Sequence, residues 1–216
     1  MRYNAVVFDL DGTLLDTLAD IAGAVNRALA SIGLPQHPVD AYRHFVGEGI
    51  KVLARRVLPA GRQGEAEVNV CLNAITREYG MALLVKTRPY AGIPELLEAL
   101  AQKQIPIAVA SNKPHDLTLR SVDTLFRGVK FGAVLGERKG VAPKPDPAVA
   151  FEAASLLGVA PAQCLYAGDS GIDMQTAAAA GMFPVGALWG FRDKVELVAN
   201  GAKALIKHPL ELLELL

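Results

Sequence analysis

The sequence predicts an α/β protein, a doubly wound parallel sheet that carries an inserted α-helical block. Three observations predict it. Short apolar runs alternate with helical patterns along most of the chain, the runs are apolar on both faces, and residues 16–85 break the alternation with helical patterns only. Strands apolar on both faces need cover on both sides, which parallel sheets receive from their crossover helices. A helical stretch between the first and second strands, with no strand of its own, reads as a separate module grafted onto that sheet.

The elements follow in order. The first strand is Ala5–Phe8, and the turn after it leads into helical patterns at Leu18–Ile32, Val39–Phe45, Ile50–Leu58 and Glu65–Tyr79. Thr17 with Asp20 three residues on has the spacing of a capping box for the first of these helices, which makes Asp16, Thr17 and Asp20 helix-start residues. Gly33-Leu34-Pro35 ends that helix. Pro59–Gly64 is a turn-rich loop within the block, and Arg88-Pro89-Tyr90-Ala91-Gly92 is the linker back to the alternating pattern. Strands are then expected at Ile105–Ala110, Ala133–Leu135, Cys164–Ala167, Pro184–Ala187 and Ala204–Ile206. Helices are expected at Ile93–Lys103, His115–Leu125, Ala148–Leu157 and Ile172–Ala180. The division is residues 1–15 and 86–216 for the sheet-containing core and 16–85 for the helical module.

Composition narrows the function classes. With 216 residues, 51% apolar and 20% charged, the chain can bury a full core and is not disordered. Lys plus Arg and Asp plus Glu both number 22, so no broad basic face is implied, and neither nucleic acid nor an anionic membrane is expected as a partner. Cys71 and Cys164 lie far apart without metal-ligand spacing and are expected to be reduced thiols. No apolar run is long enough to span a bilayer, and Met1–Asn4 leads straight into a strand, so a soluble, cytoplasmic protein is expected. Oligomeric state is left open.

The chemistry gathers just beyond strand ends, where open α/β sheets place their ligand crevice. Asp9 and Asp11 follow the first strand; alternation points them the same way with Leu10 opposite, and two such charges call for a cation or a shared proton. Ser111-Asn112-Lys113-Pro114 follows the second long strand and precedes a helix N-terminus, which favours phosphate. Lys144 sits between prolines in Ala142-Pro143-Lys144-Pro145-Asp146-Pro147. Gly168-Asp169-Ser170-Gly171-Ile172-Asp173 puts one carboxylate at a strand end and another on a first helical turn. Each piece alone has a plainer reading: Ser111-Asn112 as an N-cap, Lys144 as a solvated lysine, Asp169 and Asp173 as helix-start charges. Their joint occurrence, in this order and all at strand ends, favours one site.

Phe8-Asp9-Leu10-Asp11-Gly12-Thr13, Ser111-Asn112-Lys113-Pro114, Lys144-Pro145-Asp146-Pro147 and Gly168-Asp169-Ser170-Gly171-Ile172-Asp173 resemble the four motifs of the haloacid dehalogenase-like hydrolase superfamily. The resemblance covers nearly the whole chain and implies a Rossmann-like core. The inserted helices look like the cap of the branch that contains phosphoglycolate phosphatases and β-phosphoglucomutases, and Tyr90–Leu97 and Trp189-Gly190-Phe191-Arg192 are also similar to that branch.

The resemblance implies a small phosphorylated metabolite as substrate and a mechanism. Asp9 would attack phosphorus to form an aspartyl-phosphate, and Asp11 would protonate the leaving oxygen and later activate water. Mg²⁺ would be held by Asp9, the Asp11 carbonyl and Asp169, with Asp173 completing the acidic set or positioning Lys144 or a metal-bound water. Ser111 and Asn112 would contact the phosphoryl oxygens and Lys144 would offset their charge. With Asp11 present, dehalogenation and phosphonate cleavage are disfavoured. A hydrolase acting on a phosphoglycolate-like ester leads; a mutase, or a pyrophosphatase or nucleotidase of the same superfamily, is the alternative. Substrate choice would come from the cap loop Phe45–Lys51, through Gly47, Glu48 and Lys51, with Arg43, Arg55 and Arg56 as further cations for a substrate carboxylate.

Overall fold

The computed structural model describes residues 3–216. In chain order it contains β1 (Ala5–Phe8), β2 (Leu15–Asp16), α1 (Leu18–Ser31), α2 (Tyr42–Phe45), α3 (Ile50–Arg56), α4 (Glu65–Met81), β3 (Arg88–Pro89), α5 (Ile93–Gln102), β4 (Ile107–Pro114), α6 (His115–Leu125), β5 (Ala133–Glu137), α7 (Ala148–Leu157), β6 (Cys164–Gly168), α8 (Gly171–Ala179), β7 (Phe183–Ala187), α9 (Lys194–Ala199) and β8 (Ala204–Ile206). Six strands form one parallel sheet in the order β5-β4-β1-β6-β7-β8. The chain therefore builds outward from β1 in both directions, and β1 is where the strand order reverses.

Alternation along the strands explains the two-sided cover. Val6, Phe8, Ile107, Val109, Leu165 and Val185 pack on one face with α5 residues such as Leu96 and Leu100. Ala5, Val7, Ala108, Ala110 and Tyr166 pack on the other with Val149 and Ala153 of α7 and Ala177 of α8. Each fully buried large aliphatic side chain contributes roughly 1.5–3 kcal/mol. The helical block has a third cluster of its own, built from Leu18, Val25, Leu29, Tyr42, Leu53, Val68 and Ile75, which Leu117 and Phe191 of the sheet-containing part also join. The two halves of the connection pair as a short antiparallel ladder, Leu15 opposite Pro89 and Asp16 opposite Arg88. No helix among the described residues is long and apolar enough to cross a membrane.

Three local expectations are corrected. The Thr17–Asp20 capping box does not form. Thr17 makes no capping bond, and its Oγ1 is buried without a partner. The Asp20 carboxylate instead accepts hydrogen bonds from the backbone N–H groups of Lys86 and Thr87 (2.9 and 2.8 Å) and from Thr87 Oγ1 (2.7 Å). Those donors lie 66 and 67 residues away, so Asp20 fastens the start of α1 to the returning chain. Val39–Phe45 is not one helix but a 3-10 turn, Val39–Ala41, followed by α2. Ser111–Pro114 does not follow its strand but continues it, with a register shift against β5 between Ala110 and Pro114.

Candidate active site

Sheet register brings the acidic residues together. Val7 and Phe8 pair with Ala108 and Val109 on one side and with Tyr166 and Ala167 on the other. Asp9 donates its N–H to the Ala167 carbonyl, so it stands between the ends of β4 and β6, beside Ser111 and Asp169. All three side chains are buried.

Lys144 is the centre of one half of the site. Its Nζ donates to Asp9 Oδ1 (2.7 Å), Asp173 Oδ1 (2.7 Å) and the Ala110 carbonyl (3.0 Å), with the side chain buried. The Asn112 side chain holds this lysine's backbone, accepting from Lys144 N–H and donating to its carbonyl. Asp173 is doubly used: Oδ2 accepts from Ser170 N–H and Oγ and completes a capping box at the start of α8, while Oδ1 faces Lys144. The same Asp173 carboxylate thus caps α8 and pairs with Lys144.

Asp169 is seated by backbone geometry. Its Oδ1 accepts from Thr13 Oγ1 (3.0 Å) and its Oδ2 from Phe191 N–H (2.7 Å). It lies against two glycines: Gly12, at φ +95°, where an added Cβ would come 2.3 Å from Asp169 Oδ2, and Gly190, where it would come 2.2 Å from Asp169 Cβ. A side chain at either position would displace the carboxylate.

Burial pushes the Asp9 carboxyl up, Lys144 opposes it, and Asp173 and Asp11 push it further, leaving it at about 7. Burial and the neighbouring Asp173 and Asp9 also raise Asp169 well above an ordinary carboxylate. For Lys144, burial works against the charge, but Asp173 and Asp9 outweigh it and hold the ammonium above the usual lysine value. Carboxylate oxygens of Asp9, Asp169 and Asp173 lie within 4.8 Å of one another. This all-oxygen set suits a hard divalent cation better than a thiolate- or imidazole-seeking metal. Asp9 Oδ2 has no protein partner among the described residues, whereas both oxygens of Asp173 are engaged.

Asp11 departs from the expected cluster. Its carboxylate is not among the three that converge; it accepts from Lys113 Nζ at 2.8 and 3.2 Å. Lys113 is buried, and its Nζ also donates to Tyr79 Oη (2.6 Å) on α4. Burial disfavours the Lys113 ammonium, but Asp11 and Tyr79 reverse the effect and its pKa is raised. Lys144 is therefore not the sole counter-charge for the acidic residues. Lys113 and Thr13 stand inside the motifs with no role assigned from the sequence, and Tyr79 there only closes a helical pattern. Lys113 could have been suspected as the next cation after Ser111; nothing in the sequence pointed from Tyr79 to Asp11.

A cavity of about 570 Å³, counting its open mouth, lies between this site and the helical block. Asp9, Asp11, Ser111, Asn112 and Lys113 line its floor, and Gly47, Gly49 and several aliphatic side chains line its roof. Lys51 and Glu48 are not on this wall. Lys51 is half-exposed and bridges to Glu65 at 3.0 Å, joined there by Arg55, and Glu48 pairs with Arg56. Arg43 donates to the Gly190 carbonyl. On α3 the apolar Ile50 and Leu53 face inward, which turns Lys51 and Arg55 toward Glu65.

Residues 6–187 match the family model of the haloacid dehalogenase-like hydrolases. A phosphoglycolate phosphatase of Pseudomonas putida (strain KT2440) is 37% identical, the match covering 93% of this chain and 78% of that protein. One from Aquifex aeolicus (strain VF5) is 31% identical, with 98% and 95% covered. A crystal structure from Lactobacillus delbrueckii subsp. bulgaricus, assigned by name to the phosphoglycolate phosphatases, superposes with a TM-score of 0.94 at 33% identity, covering 100% of this chain and 98% of that one. The chain belongs to the haloacid dehalogenase-like hydrolase family. Within it, the chain sits in the phosphoglycolate-phosphatase-like branch and is a phosphoric monoester hydrolase.

Proposed function

We propose that this enzyme hydrolyses a small phosphomonoester through an aspartyl-phosphate on Asp9, with Mg²⁺ as its cation and residues 16–85 acting as a cap over the reaction. The observation that carries the reading is the state of Asp9. One of its oxygens is held by Lys144, the other has no partner among the described residues, and the residue lines the floor of the cavity. In the first step Asp9 Oδ2 forms a bond to phosphorus as the ester P–O bond breaks, and Asp11 passes a proton to the departing alkoxide. In the second step Asp11 takes a proton from water, which attacks phosphorus and returns the Asp9 carboxylate with release of inorganic phosphate.

Ser111, on the cavity floor beside Asp9, would hold the phosphoryl oxygens. Lys144 offsets their charge and keeps Asp9 turned toward them. Asp9 and Asp169, together with the Asp11 carbonyl, would hold Mg²⁺, which offsets the charge of the nucleophile and the phosphoryl group; Asp173 would steady Lys144 from behind. Lys113 orients the Asp11 carboxylate, and through Tyr79 it connects that carboxylate to the cap.

The test is phosphate release from acetyl phosphate and a panel of small phosphate esters by the purified chain with Mg²⁺, beside Asp9→Asn. The reading expects release by the parent and none by the variant. Turnover by Asp9→Asn at the parent's rate would remove Asp9 as nucleophile. Conversion of β-glucose 1-phosphate into glucose 6-phosphate without free phosphate would replace the hydrolase by the mutase.

A further inference from the structure

The roof of the cavity says more about the substrate than its floor does. Ile21 and Val25 of α1, Val46 of the cap loop, Ile50 and Leu53 of α3, and Ile75 of α4 all line it. No cap cation is on that wall among the described residues. Lys51 and Arg55 are turned to Glu65, Arg56 to Glu48, and Arg43 to the Gly190 carbonyl. The polar groups of the wall are already matched: Lys113 Nζ is shared between Asp11 and Tyr79 Oη, and Asn112 Nδ2 donates to the Gly47 carbonyl and the Lys144 carbonyl. With the phosphate on the floor beside Asp9 and Ser111, the rest of the ester must lie against aliphatic side chains.

A carboxylate placed there would lose its water and meet no free cation, whereas methylene groups would replace water on apolar surface. We infer that the substrate is the phosphomonoester of an uncharged alcohol with an apolar body, and that a carboxylated ester such as phosphoglycolate is disfavoured. The inference rests on the phosphatase reading above and adds the chemical class of the leaving group.

The experiment measures kcat/KM for methyl, propyl and butyl phosphate and for phosphoglycolate, with the full chain and Mg²⁺. Acetyl phosphate, a mixed anhydride with a far better leaving group than any alcohol, reports whether the phosphatase chemistry itself runs. Alkyl esters differ little in intrinsic reactivity, so their trend reports the cavity. The expected result is a rise of about fourfold per methylene group, with phosphoglycolate about a hundredfold below propyl phosphate. Ile50→Lys, at a half-buried position on the roof, should raise phosphoglycolate relative to butyl phosphate by about fivefold. Phosphoglycolate turned over faster than butyl phosphate by the parent would overturn the inference while acetyl phosphate hydrolysis still upheld the phosphatase. A flat alkyl series would overturn it equally. Failure to hydrolyse even acetyl phosphate would remove both readings together.

Discussion

Replacing Lys113 by methionine tests the least expected part of the site. Methionine keeps most of the buried stem and removes only the ammonium, which lies 2.8 Å from Asp11 Oδ1 and 2.6 Å from Tyr79 Oη. Breaking a buried ion pair by removing one partner costs roughly 3–5 kcal/mol. The Asp11 side chain is 12% exposed and borders the cavity, so water can partly replace the lost partner, which favours the lower end of that range. Stranding Tyr79 Oη adds about 1 kcal/mol. Urea unfolding should therefore show a loss of about 4 kcal/mol, a large share of the 5–15 kcal/mol typical of a domain. Because Asp11 loses the group that orients it, kcat should fall by about 10² or more, the usual worth of a positioned general acid and base. In the double variant Asp11→Asn/Lys113→Met no buried charge is left alone, so more than about 1 kcal/mol of stability should return. Lys113→Met unfolding within about 1 kcal/mol of the parent, with unchanged kcat, would refute the reasoning, because the pair would then behave as an exposed one.

Asp9→Asn should lose turnover yet still retain inorganic phosphate in a binding assay, since Lys144 and Ser111 remain. The metal-free protein should lose stability as pH rises from about 4 to about 7. Asp9 has a folded-state value of about 7, above the roughly 3.9 of the unfolded chain, so the stabilising proton is fully held below the lower value and gone above the higher. Thermal melts across that window, with and without chelator-cleared Mg²⁺, check this; Mg²⁺ at a hundred times its Kd should restore about 2.7 kcal/mol, and a pH-independent melt would contradict it. Asp20→Ala should cost about 3 kcal/mol in urea unfolding because it strands two backbone N–H groups and leaves the Thr87 hydroxyl only the Leu83 carbonyl at 3.4 Å.

Much of this molecule is determined by local pattern. Strands such as Cys164–Gly168 and helices such as His115–Leu125 and Ala148–Leu157 stand where apolar runs and 3.6-residue periodicity put them, because burial on both faces leaves a parallel strand little choice. The convergence of Asp9, Lys144, Asp169 and Asp173 was legible for a related reason: each follows a strand, and parallel strands deliver their ends to one crevice. What the sequence could not decide was which partner each polar group takes. Asp20 had the spacing of a capping residue and was claimed by a chain segment 66 residues on; Asp11 had the spacing of a metal ligand and its carboxylate was claimed by Lys113. A side chain's charge and position along the chain are local properties, but a hydrogen bond goes to whichever donor packing brings within about 3 Å. The same holds for the cap. Its cations were visible in the sequence, yet only the packing of Ile50 and Leu53 inward turned Lys51 and Arg55 out to Glu65 and left the cavity with an apolar roof.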